Sequence, residues 1–146
     1  MIGLVQRVAF ARVEVAGAVV GAIDAGLLVL VCAEPADGEP QVRRFVDKLL
    51  KLRIFGDAAG RMNRSLQDVA GGLLIVSQFT LAADTAGGNR PSFSAAAPAA
   101  RGRALYEAVL TEARARHSPV EAGIFGASMQ LHLLNDGPVT IPLRVA

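Results

Sequence analysis

The pattern of hydrophobic and polar positions predicts strands towards both ends of the chain. In "IGLVQRVAFARVEVAG" the alternation places Val13 and Val15 on one side of a strand and Arg12 and Glu14 on the other. Further strands are predicted for "GAVVGAI", "GLLVLVCAE", "LLIVSQFTL", "VEAGIF" and "MQLHLL…VTIPLRV". The last is interrupted at "NDGP" (Asn135 to Pro138), whose residue types favour a hairpin turn between two strands.

Two helices are predicted between these strands. The first covers "EPQVRRFVDKLLKLRIF" and ends near Ile54 to Gly56, with Pro40 in its first turn. Its apolar residues at helical spacing are Val42, Phe45, Val46, Leu49 and Leu52. The second runs roughly from Ala99 to His117, with an i,i+4 ion pair between Glu112 and Arg116. Its apolar face consists of Leu105, Tyr106, Val109, Leu110 and Ala113.

These elements predict an α+β fold, a mixed or antiparallel, barrel-like sheet with two main helices packed on it, because strands outnumber helices and many connections are hairpin-like. The length of 146 residues fits one domain, residues 1–146, with a substantial core. Hydrophobic residues make up 52% and charged residues 19%, a composition that excludes disorder.

Composition also bears on location and partners. No apolar run approaches the roughly 20 residues of a membrane span, and the N-terminus has Arg7 inside its apolar stretch, unlike a signal peptide. The single Cys32 cannot pair within the chain and is predicted to be a small buried hydrophobe in a cytoplasmic protein. The net charge of +2 permits an RNA partner without predicting one.

Motifs for metal, phosphate or triad chemistry are absent from the sequence. His117, His132 and Cys32 are scattered, without the close spacing of zinc ligands, so no metal and no cofactor is expected. His132, in an alternating strand, is expected to be half-buried or on the surface. A basic stripe, Arg44, Lys48 and Lys51, lies opposite the apolar face of the first helix, where a solvated face is the favoured interpretation.

Two segments indicate a binding site. Ser77, Gln78 and Thr80 follow the buried run Leu73 to Val76, so they either face a ligand or cap local backbone. The segment 82–98 has no period and is longer than most inert connections. Within it, Arg90 could bind a phosphate, and Phe93 could stack or pin the loop to the body.

Three motifs closely resemble the D-aminoacyl-tRNA deacylase family: "SQFTLAADT" (Ser77 to Thr85), "RPSF" (Arg90 to Phe93) and "NDGPVT" (Asn135 to Thr140). Supporting matches in the same order are "QRV" from Gln6, "GLLVLV" from Gly26, "LRIF" from Leu52, "MN" from Met62, and Met129. The resemblance spans essentially the whole chain. Cys32 departs from the small, glycine-like residue common at its position, which bears on local packing.

The resemblance implies a homodimeric enzyme that hydrolyses the ester between a D-amino acid, or mischarged glycine, and the 3′ end of tRNA. It implies catalytic roles for Ser77, Gln78, Phe79 and Thr80. Gly137, Pro138 and Met129 would bind the substrate and select its chirality. In similar proteins the Gly-Pro bond is cis and enters the other subunit's active site, where backbone rejects every L-residue sterically.

Several alternatives stay open at this stage. Backbone N–H groups near Phe79 and Thr80, or the Gln78 side chain, could stabilise an oxyanion. Thr80 could act as a nucleophile or orient water, but the favoured alternative is that the 2′-OH of the tRNA activates the water. Phe79 could stack on the terminal adenine or lie in the core. A non-catalytic tRNA 3′-end binding module and a dimeric small-molecule binder with a structural Gly-Pro tip are the competing functions.

Overall fold

The computed structural model describes residues 1–146. In chain order its elements are β1 (Ile2–Val15), β2 (Ala18–Ile23), β3 (Gly26–Cys32), α1 (Glu39–Lys51), β4 (Phe55–Gly56), β5 (Met62–Arg64), α2 (Leu66–Val69), β6 (Gly72–Ser77), a 3₁₀ turn (Phe79–Ala82), α3 (Ala99–Arg116), β7 (Val120–Ala122) and β8 (Gln130–Arg144). None of the helices combines the length and apolar character that a membrane crossing requires.

The sheet is organised around β1, which is long enough to pair with three strands. It runs antiparallel to β2, β3 and β8, whereas β3 pairs parallel with β6 and β6 with β7. The two ends of the order β2-β1-β3-β6-β7 approach each other, because a Cβ built on Gly21 of β2 would lie 2.6 Å from the Ala122 carbonyl of β7. The predicted mixed, barrel-like α+β fold in a single domain is confirmed.

Helices α1 and α3 close one side of this sheet with the apolar faces that the sequence predicts. Phe45 and Leu49 of α1 and Val109 of α3 are fully buried in one core cluster. The predicted ion pair between Glu112 and Arg116 is present at 3.3 Å. In α3, the predicted apolar residue Leu105 is only half-buried and packs at the margin of this cluster.

The predicted end of α1 near Ile54 to Gly56 is wrong, because the helix ends at Lys51. Leu52 adopts extended backbone, with φ −62° and ψ 121°, and is half-buried. Leaving the helix lets the chain bury Ile54, which is 4% exposed, and present its carbonyl oxygen to Arg7 Nη1 at 2.7 Å. Tertiary contacts thus override a periodicity that continued past Lys51.

Two further boundaries differ from the prediction. Strand β6 ends at Ser77 instead of continuing through "QFTL", because Phe79–Ala82 winds into a 3₁₀ turn. The turn-rich stretch after α1 contains the short hairpin β4–β5 and the single-turn helix α2. Ser65 and Asp68 cap α2 reciprocally, with Asp68 N donating to Ser65 Oγ at 3.1 Å and Ser65 N to Asp68 Oδ2 at 2.8 Å.

The segment Asn135–Pro138 is a bulge within one strand, so the predicted hairpin turn between two strands is wrong. The residues on both sides of it belong to β8 and pair with β1. Gln6 pairs with Thr140 and Val8 pairs with Asn135, so an advance of two residues along β1 corresponds to five residues along β8. The surplus residues of β8 bulge out of the ladder as a loop, Asp136–Val139, which we call the tip; Asp136, Gly137 and Pro138 are exposed and Val139 is half-buried.

Candidate active site

A pocket of about 550 Å³ opens at the end of β6. Ser77, Gln78 and Phe79 line it together with Met129, so the structure brings together four of the residues predicted for the site. Its remaining lining is mostly apolar and comes from β3, the long loop, α3, the segment before β8 and the start of β8; it includes Cys32, Phe93, Tyr106, Phe125 and Leu131. The walls therefore favour a flat or apolar group, while polar groups come from the end of β6.

Gln78 lines this pocket, whereas Thr80 does not line it and is exposed beside Gln78. Gln78 N donates to the Val31 carbonyl at 2.8 Å, which extends the link between β3 and β6 by one residue. The Gln78 side-chain amide Nε2 donates to Thr80 Oγ1 at 2.5 Å, so the threonine hydroxyl is oriented by the motif itself. The N–H groups of Phe79 and Thr80 come first in the 3₁₀ turn, where no carbonyl of the turn can accept them.

Phe79 lies on the surface of the pocket and not in the core, since it is 57% exposed. Its ring meets the Phe93 ring edge-on, with centroids 5.1 Å apart and an interplanar angle of 78°. Phe93 therefore pins the long loop to the pocket, one of the two roles expected for it. Two backbone hydrogen bonds between Asp84 and Ser92, at 2.8 and 2.9 Å, close that loop. Arg90 is exposed in it, and its phosphate-binding role stays a prediction.

The ionisable side chains of the pocket, Cys32 and Tyr106, are both kept protonated. Burial, and then the charge of Glu34, raise the pKa of the Cys32 thiol, and Sγ contacts the Phe79 carbonyl at 3.6 Å. Burial raises the pKa of Tyr106 to about 12, and its hydroxyl donates to the Ile75 carbonyl at 2.9 Å. No histidine or carboxylate lines the pocket. The pocket therefore offers hydrogen-bond groups but no general base for neutral pH.

The structure does not bring Gly137 and Pro138 to the pocket of their own chain, since neither lines it. Both are exposed at the tip, and the peptide bond between them is cis, as expected. Gly137 has a φ of +131°. A Cβ there would lie 2.8 Å from Val139 Cγ2 and 3.1 Å from Arg7 Nη2, so the tip has room only for glycine at this position.

Arg7 and Asn135 hold the tip in place through hydrogen bonds. Arg7 Nε donates to the Asp136 carbonyl at 3.1 Å. Asn135 Nδ2 donates to the carbonyls of Arg7 at 3.0 Å and Val139 at 2.9 Å, which closes the bulge from both sides. Sequence reasoning missed both roles, although a charged Arg7 within an apolar strand was the available signal. The tip is thus held by hydrogen bonds from β1, and none of its residues lines the pocket of its own chain.

Other sequence-predicted candidates lie elsewhere. Cys32 is 3% exposed, as predicted for a buried hydrophobe, and it forms part of the pocket floor. His132 is half-exposed, as predicted, and its Nε2 lies 3.3 Å from Glu14 Oε2. The basic stripe Arg44, Lys48 and Lys51 borders a shallow groove on α1.

Comparison with known proteins identifies the family. The family model for D-Tyr-tRNA(Tyr) deacylase matches residues 4–144. The D-aminoacyl-tRNA deacylase of Methylibium petroleiphilum is 66% identical over 145 residues, covering 99% of this chain and 95% of that protein. The protein of the same name from Azoarcus sp. is 64% identical over 145 residues, covering 99% and 96%.

Solved structures agree with this assignment. One described as "c-Myc DNA Unwinding Element Binding Protein" is 38% identical, with a TM-score of 0.95 over 100% of this chain and 99% of that chain. A probable eukaryotic D-amino acid tRNA deacylase shares the fold, with a TM-score of 0.84 over 97% of both chains at 19% identity. On its sequence and its fold, this chain belongs to the D-Tyr-tRNA(Tyr) deacylase family.

Proposed function

We propose that this protein hydrolyses the ester bond between a D-amino acid, or mischarged glycine, and the 3′ end of tRNA, releasing free tRNA. Family membership and relatives named D-aminoacyl-tRNA deacylase support the reaction class. The observation that carries the proposal is the pocket at the end of β6, where Ser77, Gln78 and Phe79 meet apolar walls without a general base. A tRNA substrate and the single reduced cysteine support a cytoplasmic site of action.

The tRNA supplies the group that activates water in this proposal. Cys32 and Tyr106 are protonated at neutral pH and so cannot accept a proton. Gln78 already donates to the Thr80 hydroxyl, which leaves Thr80 suited to orienting water and poorly suited to acting as a base. The ribose 2′-OH next to the scissile ester positions the attacking water, and the N–H groups of Phe79 and Thr80 stabilise the developing oxyanion.

Chirality is selected by backbone in this proposal. The Gly137 and Pro138 carbonyls of the partner subunit's tip accept hydrogen bonds from the α-ammonium group, while Met129 borders the pocket. With the ammonium and the ester held, the side chain of an L-residue would clash with backbone atoms that cannot rotate away. The side chain of a D-residue points out of the site and avoids this clash. Glycine lacks a side chain and is therefore accepted.

The tip reaches the pocket of a second subunit rather than its own. Its exposure, its bracing by Arg7 and its absence from its own pocket support this arrangement. Next to the tip, Phe10 and Leu134 are partners across the β1–β8 ladder and are 40% and 52% exposed. An exposed apolar pair beside the tip suits a two-fold interface, in which each tip enters the other pocket.

Incubation with D-Tyr-tRNA and L-Tyr-tRNA tests the function directly. The proposal predicts release of D-tyrosine and retention of L-tyrosine at matched tRNA concentration. The competing function is a module that binds the 3′ end of tRNA without catalysis; the 38% identical structure, which carries the name of a DNA-binding protein, is the observation in its favour. Binding of D-Tyr-tRNA without release of tyrosine would favour that module. Neither binding nor release would favour a small-molecule binder.

A further inference from the structure

A second concave surface lies on α1 and the residues that follow it. This basic groove has a volume of about 370 Å³ and is lined by Arg44, Asp47, Lys48, Lys51, Leu52 and Arg53. Four of these six residues are cationic and all four are exposed. Arg44, Lys48 and Lys51 form a row about 10 Å long along the helix axis.

The positive charge of the basic groove is not balanced by its own carboxylate. Asp47 Oδ1 lies 2.7 Å from both Lys51 Nζ and Arg116 Nη2, and these hydrogen bonds lower the pKa of Asp47. Arg44 Nη1 donates to the Ala146 oxygen at 3.1 Å and Arg53 Nε to the Asn63 carbonyl at 2.9 Å, whereas Lys48 forms no ion pair with a side-chain carboxylate. Four cationic side chains and one carboxylate line the groove, and this excess of positive charge forms a surface that attracts a polyanion.

The basic groove adjoins the tip and not the pocket of its own chain. Arg7 connects the two, since Nη1 donates to the Ile54 carbonyl at 2.7 Å and Nε to the Asp136 carbonyl at 3.1 Å. Arg53, at the end of the groove, is the residue before Ile54. The groove and the pocket have no lining residue in common. A molecule that contacts the tip therefore also lies close to the basic groove of the same chain.

We infer that the basic groove of one subunit binds the phosphate backbone of the tRNA whose 3′ end occupies the partner subunit's pocket. This inference rests on the proposed function, in which each tip enters the other subunit's pocket. A tRNA bound there passes next to that tip and so meets the groove beside it. Phosphates suit the groove because cation pairing with them requires no base sequence, and one domain can then serve many tRNAs.

Paired substitutions on α1 test the groove. Arg44→Gln and Lys48→Gln should each raise the KM for D-Tyr-tRNA by roughly 3- to 10-fold. Each should also reduce the slope of log kcat/KM against log salt concentration by about one. Arg43→Gln is the matched control, because Arg43 is exposed on the same helix, lines no groove and pairs with Glu39. It should leave KM unchanged. A D-tyrosylated CCA trinucleotide, which lacks the acceptor stem, should show the same KM with all four proteins.

Failure of the groove can be distinguished from failure of the function. A wild-type protein that does not deacylate D-Tyr-tRNA contradicts the proposed function. A wild-type protein that does so, with equal KM values for Arg44→Gln, Lys48→Gln and Arg43→Gln, contradicts the groove alone and makes the stripe a solvated face. KM increases on the trinucleotide as large as those on the tRNA would also contradict phosphate binding in the groove, because the substitutions would then act through the pocket.

Mixed dimers test whether the groove acts across subunits. One subunit carries Arg44→Gln and Lys48→Gln with an intact pocket, and the other carries Phe79→Ala with an intact groove. Phe79→Ala is first shown to inactivate its own homodimer. The inference predicts a wild-type KM, because the only active pocket then faces an intact groove. A KM as high as that of the Arg44→Gln/Lys48→Gln homodimer would contradict binding in trans.

Discussion

Arg7 and Asp136 are joined twice, by a hydrogen bond from Nε to the Asp136 carbonyl at 3.1 Å and by an ion pair of 3.4 Å to its carboxylate Oδ2. The same guanidinium donates to the Ile54 carbonyl, so one side chain ties the tip to the segment after α1. Arg7 is only 17% exposed, and this partial burial makes its contacts stronger than those of a surface pair. The position of the tip therefore depends on a charged residue in the middle of β1.

Arg7→Lys should reduce deacylation of D-Tyr-tRNA more than it reduces stability. Lysine keeps the charge but cannot donate to Ile54 and Asp136 from a planar fork, and losing one charge-assisted hydrogen bond corresponds to roughly 10-fold or more in kcat/KM. Arg12→Lys is the control, since Arg12 lies on the same strand and pairs with Glu14. Equal kcat/KM values for the two variants would show that the tip does not need Arg7.

Gly137→Ala should fold but lose most of its activity. The new Cβ would lie 2.8 Å from Val139 Cγ2 and 3.0 Å from Val139 N, at a φ of +131° that alanine rarely adopts, so the tip must shift. Gly17→Ala is a control for a positive φ without a clash, since Gly17 has a φ of +80° and nothing within 4 Å of its Cβ. Circular dichroism checks folding, and rates on D- and L-Tyr-tRNA check function. A Gly137→Ala protein with wild-type rates and selectivity would exclude the tip from the site.

Thr80→Ala should weaken deacylation only partly. The Thr80 hydroxyl accepts a hydrogen bond from Gln78 and is assigned to orienting water, so no essential nucleophile is lost. A tRNA ending in 2′-deoxyadenosine should in contrast be a poor substrate for the wild-type protein. Complete loss of turnover in folded Thr80→Ala, or normal turnover on the deoxy substrate, would contradict activation by the 2′-OH.

Activity should require the dimer. A monomer would present a pocket without a tip, so specific activity should fall on dilution below the dimer dissociation constant. Leu134→Glu places a charge at the exposed apolar pair with Phe10 and should give a folded, inactive monomer. Sedimentation and assay at one protein concentration measure both properties. A fully active monomer would contradict the shared site.

Stability should fall between about pH 10 and pH 12 because of Tyr106. Burial raises its folded-state pKa from 10.0 to about 12, so above pH 10 the unfolded chain releases the phenolic proton first. The unfolded state then binds fewer protons than the native state, and the free energy of unfolding decreases as pH rises. Urea unfolding at stepped pH measures this slope. It should be shallower in Tyr106→Phe, and an identical slope would contradict the assignment.

The sequence predicted most of the secondary structure because long periodic segments are the strongest signal. Helix α3 begins at the predicted Ala99 and ends one residue before the predicted His117. The errors fall where tertiary contacts override local pattern. The chain leaves α1 at Lys51 to bury Ile54, and β8 continues past Pro138 because both of its halves pair with β1. Turn-forming residues cannot distinguish a hairpin from a bulge without the partner strand.

Much less of the site could be derived from residue patterns. Ser77, Gln78 and Thr80 were identified as candidates from their position at the end of a strand, whereas Phe79 and Gly137-Pro138 were identified only through family resemblance. The sequence does not mark Tyr106 and Phe125 as pocket residues, because its pattern does not distinguish them from ordinary apolar positions of a helix and a loop. A site assembled from distant segments leaves little trace in local sequence.

The most direct test of a pocket completed by a partner's tip is complementation between two weakened proteins. Phe79→Ala and Gly137→Ala homodimers are first shown to have low activity on D-Tyr-tRNA, and are then mixed in equal amounts until subunits exchange. Half of the dimers become mixed, and in each of these one site pairs an intact pocket with an intact tip. The account predicts recovery to about a quarter of the wild-type rate. Activity no higher than the mean of the two homodimers would show that pocket and tip act within one chain, and would contradict the account.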